Sequence, residues 1–204
     1  MANANRANGF TPVRHLNGSP WNGAMEIFFH SSSDSSAIYK GALVYSTLGL
    51  AAGANSDPLG IYQEVVVAPD DESPVVGVAW SFGETPQIAA RVSNLNAVNY
   101  CPASTNMYIG VITDPTVVFE IQDNGTTLTA GQIGMYFDTS NNASGSTTTG
   151  RSSAVLDQGS LQASGATCRI LRLVNRPDNT LSCNAKFEVI IAEHINSQVG
   201  YAST

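Results

Sequence analysis

Residues 167–194 read TCRILRLVNRPDNTLSCNAKFEVIIAEH, and this stretch decides the fold. Its first arm sets apolar residues around Arg169 and Arg172, which are expected to face outward. Its second arm alternates apolar residues with Lys186 and Glu188, which are expected to share the outer face. Period-two alternation of β-branched and aromatic residues is typical of strands that bury one side. The polar stretch between the arms contains Pro, Asp and Asn, which favour turns, so the sequence predicts a long β-hairpin.

Short apolar runs recur through the rest of the chain. They begin with MEIFFH at Met25 and continue through AIYKGALVYS, IYQEVVVA, VVGVAWSF, MYIGVIT, PTVVFEIQ and SSAVLD. An interval of about ten residues between strands is typical of a β-sandwich or barrel. The Asp-Asn-Gly sequence at 123–125, between alternating runs, predicts a tight hairpin turn. Helical spacing occurs only at 88–95, so the sequence predicts an all-β fold with one short helix.

The chain has few charged residues, and its net charge is negative. Charged residues make up 12% of the sequence, which is about half of the share in an average soluble protein. Interface centres are depleted in charge, so this composition suits a protein that is packed against neighbours. The net charge is −7 and no run of Lys or Arg occurs. Phosphate contacts need clustered basic residues, so nucleic acid is not an expected partner.

Residues 1–23 are rich in Asn, Gly and Pro. Their isolated apolar residues are Phe10, Val13, Leu16 and Trp21. Such a segment cannot bury enough surface to fold alone. We therefore predict an extended N-terminal arm that is held by a neighbouring subunit or the surface of a larger assembly, with its own domain as the alternative. The remainder, 24–204, is predicted to be a β-sandwich domain, in which 24–84 is either a separate small β subdomain or an insertion.

Targeting signals are not visible in the sequence. The first residues lack the apolar core of a signal peptide. No stretch approaches the roughly 18 apolar residues of a membrane span. The expectation is a protein made in the cytoplasm with no membrane partner.

No catalytic, cofactor or metal site is predicted. The three histidines are far apart in sequence and no G-x-S-x-G nucleophile elbow occurs. The polar stretch 139–150, with Asp138 before it, places oxygen ligands on alternate residues, but it lacks the glycine and the glutamate of a calcium loop. A solvated loop, mobile or docked on a partner, is therefore favoured there. The protein is not expected to be an enzyme.

The three cysteines are Cys101, Cys168 and Cys183. An odd count argues against a disulfide framework. A bridge between Cys168 and Cys183 is conceivable from their places in the hairpin. Small buried apolar thiols are the favoured interpretation.

Three groups of segments carry a family resemblance. The chain starts with MANANRANGFTPVRHLNGSPWNG, followed by AIYKGALV. Its middle contains DPTVVFEIQDNG at 114–125 and GRSSAVLD at 150–157, and its end is LVNRPDNTLSCNAKFEVIIAEH at 173–194. Together these segments span nearly the whole chain and resemble the capsid decoration, or cement, proteins of tailed bacteriophages.

The resemblance implies a jelly-roll-like antiparallel β-sandwich that forms a homo-oligomer, with a trimer favoured over a dimer. It implies binding to the major capsid protein on the outer surface of the head, where the protein would stabilise contacts between capsid subunits. The implied location is the virion, after assembly in the host cytoplasm. The residues expected at an interface with the capsid or a neighbouring subunit are Phe10, Val13, Arg14, Leu16, Trp21, Arg176 and Asp178.

Two other functions remain open at this point. One is a glycan-binding β-sandwich module of a phage fibre or surface adhesin, because exposed aromatic rings often bind sugars. Its candidate residues are Trp21, Trp80, Tyr62 and Tyr100. The other is the main component of a β-rich shell or pilus, which the missing signal peptide makes less favoured.

Overall fold

The structure, a computed structural model, describes residues 3–46, 57–70, 75–90 and 99–197. These residues form an all-β molecule with a single four-residue α-helix in the described ranges, α1 (Pro86–Ala89). The strands are β1 (Thr11–His15), β2 (Glu26–His30), β3 (Ile38–Tyr39), β4 (Leu43–Ser46), β5 (Val65–Val67), β6 (Gly77–Gly83), β7 (Tyr100–Cys101), β8 (Met107–Ile112), β9 (Val117–Gln122), β10 (Tyr136–Phe137), β11 (Thr139–Ser140), β12 (Val155–Leu156), β13 (Cys168–Leu173) and β14 (Lys186–Ile191). The predicted all-β class is confirmed.

Most strands belong to two five-stranded antiparallel sheets. Sheet A has the order β1-β9-β14-β13-β10, and sheet B has the order β2-β8-β6-β4-β5. An isolated parallel bridge between Phe29 and Glu64 joins β2 to the residue before β5, so the outer strands of sheet B approach each other. Two short pairs, β3 with β7 and β11 with β12, complete the pairing of the named strands.

The main core lies between the two sheets. Sheet A contributes Phe119 and Phe187, and sheet B contributes Val78 and Ile112, all of them buried. A second core cluster, which includes Phe82, covers the other side of sheet B. Within residues 24–84, strands β2, β4, β5 and β6 therefore share a sheet with β8, from the second half of the chain, and Val78 shares a core with sheet A.

The predicted hairpin is confirmed. β13 pairs antiparallel with β14 in a register that sets Cys168 opposite Ile191 and Leu173 opposite Phe187. The register shifts between Ile170 and Arg172, which marks a bulge. β14 also pairs with β9, so the hairpin forms the centre of sheet A.

The predicted turn at 123–125 is wrong as a hairpin turn. β9 pairs with β1 and β14, and not with the segment that follows the turn. The carboxylate of Asp123 accepts hydrogen bonds from the backbone of Gly125, Asn184 and Ala185. The turn is therefore hydrogen-bonded to the loop between β13 and β14. The pairing of β9 with distant strands replaces the local hairpin that the sequence predicted.

The N-terminal segment belongs to the body of the molecule. β1 pairs with β9, and Phe10 is fully buried, with its ring 5.9 Å from that of Phe119. Gly9 and Gly41 have positive φ, and a Cβ on Gly9 would collide with the backbone of Gly41. The chain's own core thus covers Phe10. This corrects its expected role as an anchor on a neighbouring subunit.

The polar stretch after β10 is also built into the fold. β11 pairs with β12, and Asn142 is fully buried. The Asn142 side chain accepts from the Leu43 backbone nitrogen at 2.8 Å and donates to the oxygens of Leu43 and Ala68 at 3.0 and 2.6 Å. Asn142 therefore docks this loop on sheet B, and the expectation of a solvated loop is corrected at this residue. The predicted helix at 88–95 corresponds to α1 at its start, while 91–98 lie outside the described residues.

Candidate interaction surfaces

The outer face of sheet A carries a row of ion pairs. Glu188 on β14 accepts hydrogen bonds from Arg14 on β1 at 2.7 Å and from Arg172 on β13 at 2.8 Å. Burial alone would raise the pKa of Glu188, but hydrogen bonds from Arg172 and Arg14 outweigh it and hold the pKa below its usual value. Arg14, an expected interface residue, is thus engaged within the chain while part of its side chain stays exposed.

The hairpin loop contributes a second group of charges. Nη1 of Arg176 lies 3.1 Å from both carboxylate oxygens of Glu120, and its Nε lies 3.4 Å from Oδ1 of Asp178. Nζ of Lys186 is 3.3 Å from Glu120. Arg6, Arg176, Asp178 and Lys186 line a polar cleft of about 370 Å³. The expected interface residues Arg176 and Asp178 therefore face an open cleft that a partner can reach.

Two expected interface residues of the N-terminal segment have exposed apolar side chains. Val13 is 42% exposed and Leu16 is 48% exposed. Leu16 lines an open groove of about 560 Å³ together with Tyr136, Arg169 and Ile190. Both side chains are available to a partner.

Trp21 has a different environment. Its partly buried ring packs against the main core and stands edge-on to Trp80, with the ring centroids 5.7 Å apart. Its Nε1 is buried and has no hydrogen-bond partner in the described part of the chain. Part of the Trp21 ring is therefore used inside the chain, and its expected role as an anchor on a neighbour stays a prediction.

The other aromatic residues weighed for glycan binding also contact neighbouring rings. Tyr100 stacks on Tyr39 with centroids 5.3 Å apart. Tyr62 meets Tyr108 edge to face at 5.6 Å. Trp80 is buried. Each of these rings uses part of its surface within the chain.

The most exposed large apolar side chains of the described residues lie on one turn, 57–62. Leu59 is 53% exposed and Ile61 is 66% exposed. The turn leads into β5 and lies beside β2, where the Phe29 backbone nitrogen donates to the Gln63 oxygen at 2.9 Å. This surface was not predicted from the sequence, although the Asp-Pro-Leu-Gly sequence at its start is a turn signal.

Asp57 fixes the conformation of this turn. Its buried carboxylate accepts hydrogen bonds from the backbone nitrogens of Leu59, Ile61 and Tyr62 at 2.8–3.1 Å. The Tyr108 hydroxyl donates to it at 2.7 Å. Burial alone would raise the pKa of Asp57, but these hydrogen bonds outweigh it and lower the pKa. The two apolar side chains are thus presented on a preorganised backbone.

A cysteine, a histidine and an aspartate meet beneath sheet B. His30 Nδ1 lies 3.3 Å from Cys101 Sγ, and its Nε2 lies 3.2 Å from Asp34 Oδ2. The order resembles a nucleophile, base and orienting group. A nucleophilic cysteine needs access and a thiolate, whereas Cys101 is fully buried and burial, with the Asp34 charge, raises its pKa to about 12. The arrangement is a buried hydrogen-bond chain, which the sequence did not reveal because Cys101 and His30 are 71 residues apart.

All three cysteines are free thiols. Cys101 and Cys168 are buried, as the favoured interpretation of the sequence predicted, but that interpretation is wrong for Cys183, which is exposed. Cys183 Sγ lies 3.3 Å from the Thr127 hydroxyl. The conceivable bridge between Cys168 and Cys183 is not formed.

Within the described ranges, no group of three or more His, Cys, Asp or Glu residues could hold a metal ion. No helix in the same ranges is long and apolar enough to cross a membrane. Comparisons of the chain with family models, curated proteins and solved structures gave no match.

Proposed function

We propose that this chain is a structural virion protein that decorates the outer surface of a tailed-phage head. It binds the major capsid protein and stabilises contacts between capsid subunits. It forms a homo-oligomer, with a trimer favoured over a dimer, and it assembles in the host cytoplasm. We also propose that the strands of the two sheets are connected in a jelly-roll-like topology. Segments across nearly the whole sequence resemble cement proteins and support this assignment.

The observation that carries the proposal is the turn 57–62. Leu59 and Ile61 are more than half exposed, and Asp57 fixes the backbone that presents them. A preorganised turn loses little conformational entropy when it binds. Full burial of one such side chain contributes roughly 1.5–3 kcal/mol. The turn thus suits insertion into an apolar depression on a partner protein.

The composition of the chain supports the same role. Only 12% of its residues are charged, so a neighbour can cover much of the surface without removing many charges from water. On a symmetric shell the same contact is repeated at every copy, and linked copies bind with avidity. Each contact can therefore be weak while the decorated shell is stable.

The test is binding of the purified protein to phage heads that lack it, measured by co-sedimentation. We expect saturable binding by the wild-type chain. The double variant Leu59→Ser, Ile61→Ser should bind at least about tenfold more weakly, because it removes the apolar contact. The matched control is Val13→Ser with Leu16→Ser, which removes two exposed apolar side chains from another part of the molecule.

Each outcome decides one part of the proposal. Retained binding by the control assigns the capsid contact to the turn, and weaker binding by both variants adds the N-terminal segment to it. Undiminished binding by the Leu59 and Ile61 variant contradicts the assignment of the surface. Failure of the wild-type chain to bind any head contradicts the function itself.

A further inference from the structure

Two basic side chains converge on one tryptophan ring. Lys40 Nζ lies 4.3 Å from the centroid of the Trp80 ring, and Arg151 Cζ lies 5.4 Å from it. The backbones that carry them are paired, since the Lys40 nitrogen donates to the Gly150 oxygen at 2.9 Å and the Ser152 nitrogen donates to the Lys40 oxygen at 3.0 Å. The two cations are therefore fixed side by side.

Nothing in the described part of the chain neutralises this pair. Neither Lys40 nor Arg151 forms an ion pair there, although the chain has 16 acidic residues. Nη1 of Arg151 is buried and lacks a hydrogen-bond partner among the described residues. Burial, and then the charge of Arg151, lowers the pKa of Lys40, and burial lowers that of Arg151. Attraction of the two cations to the aromatic ring offsets only part of the free-energy cost of burying them and of their mutual repulsion.

We propose that Lys40 and Arg151 form a binding site for a carboxylate group of a partner protein. An anion between the two side chains would relieve their mutual repulsion and would supply the acceptors that the chain itself does not. Both residues are only partly buried, so a group from outside can reach the exposed part of each side chain.

The geometry favours a carboxylate over a phosphate. The backbone nitrogens of Lys40 and Ser152 already donate within the chain. Phosphate sites commonly add backbone N–H groups to the basic side chains. Here only the Lys40 ammonium and the Arg151 guanidinium are left as donors for a ligand. These two groups can each bind one oxygen of a single carboxylate.

The chain contains its own reporter for this site. It has two tryptophans, and both are here, since Trp21 stands edge-on to Trp80. Tryptophan fluorescence should therefore respond when an anion binds. The probe is an acetylated hexaglutamate peptide, titrated at constant ionic strength with sodium chloride as the reference salt.

We expect a saturable change in emission with the peptide and none with chloride. In Lys40→Gln and in Arg151→Gln the affinity should fall at least about tenfold, because one of two charge-assisted contacts is lost. Arg169→Gln is the matched control, since Arg169 also lies over an aromatic ring, that of Tyr136 at 5.8 Å, and not over a tryptophan. Its affinity should equal that of the wild-type chain.

The variants also have a stability readout. Removing one of two neighbouring unpaired cations relieves their repulsion, so thermal unfolding of Lys40→Gln without peptide should occur at the wild-type temperature or above it. If the wild-type chain shows no saturable response to the peptide, the proposal is overturned. It is also overturned if Lys40→Gln and Arg151→Gln bind the peptide as tightly as the wild-type chain does. A response to inorganic phosphate in place of the peptide overturns the carboxylate assignment.

Discussion

At the scale of single residues, Glu188 makes the outer face of sheet A depend on charge. Its side chain is 9% exposed, and arginines bind both carboxylate oxygens. Glu188→Gln would remove the negative charge and one of the two acceptor oxygens that Arg14 and Arg172 use, so we expect the free energy of unfolding at pH 7 to fall by about 2 kcal/mol. Urea denaturation measures the change. Arg172→Gln is the control with an expected loss below about 1 kcal/mol, because Arg172 is 59% exposed.

The same residue gives a pH dependence with a defined sign. The pKa of Glu188 is lower in the folded chain than its ordinary value of 4.5. Its ionised form therefore stabilises the fold above pH 4.5, and this contribution is lost as the pH falls through the lowered pKa. The stability difference between the wild-type chain and Glu188→Gln should shrink over that acidic range. A difference that stays constant down to pH 3 would contradict the role of the charge.

At the scale of elements, β1 is a structural strand. It pairs with β9, and the residue before it, Phe10, is fully buried against Phe119. Phe10→Ala should reduce the free energy of unfolding by about 3–5 kcal/mol, as large-to-small changes in a core do. Thermal unfolding followed by circular dichroism measures it. Val13→Ala, within β1 but 42% exposed, should change stability by less than about 1 kcal/mol. Equal effects of the two variants would show that β1 does not anchor the segment.

The elements also show what the sequence could predict. The hairpin of β13 and β14 was predictable because its alternation and its turn residues are close together in the chain. The turn at 123–125 misled because β9 pairs with β1 and β14, which are distant in sequence. The meeting of Lys40 with Arg151, and of Cys101 with His30, has no local signal, since each pair is joined only by the fold. The exposed turn at Asp57 carried a turn signal, but the burial of the carboxylate that fixes it depends on Tyr108.

At the scale of the whole molecule, the expected homo-oligomer should be held mainly by apolar contacts and uncharged polar contacts, and less by ion pairs. Only 12% of the residues are charged, and the exposed large apolar side chains known from the described residues are Val13, Leu16, Leu59 and Ile61. Salt screens interactions between exposed charges but strengthens or leaves unchanged the burial of apolar surface. An assembly held by these side chains should therefore resist salt.

Sedimentation velocity tests this expectation directly. The purified chain should sediment as a trimer, three times the 21.4 kDa of one chain, and it should remain so in 1 M sodium chloride, where the Debye length is only about 3 Å. Dissociation by salt would instead assign the contact to the ion pairs around Glu120 and Arg176. Val13→Ser with Leu16→Ser should dissociate the copies, while Leu59→Ser with Ile61→Ser, the pair assigned to the capsid contact, should leave the trimer intact. A monomer at every concentration up to about 100 µM would contradict a self-associating decoration protein, because repeated weak contacts gain avidity only when copies are linked.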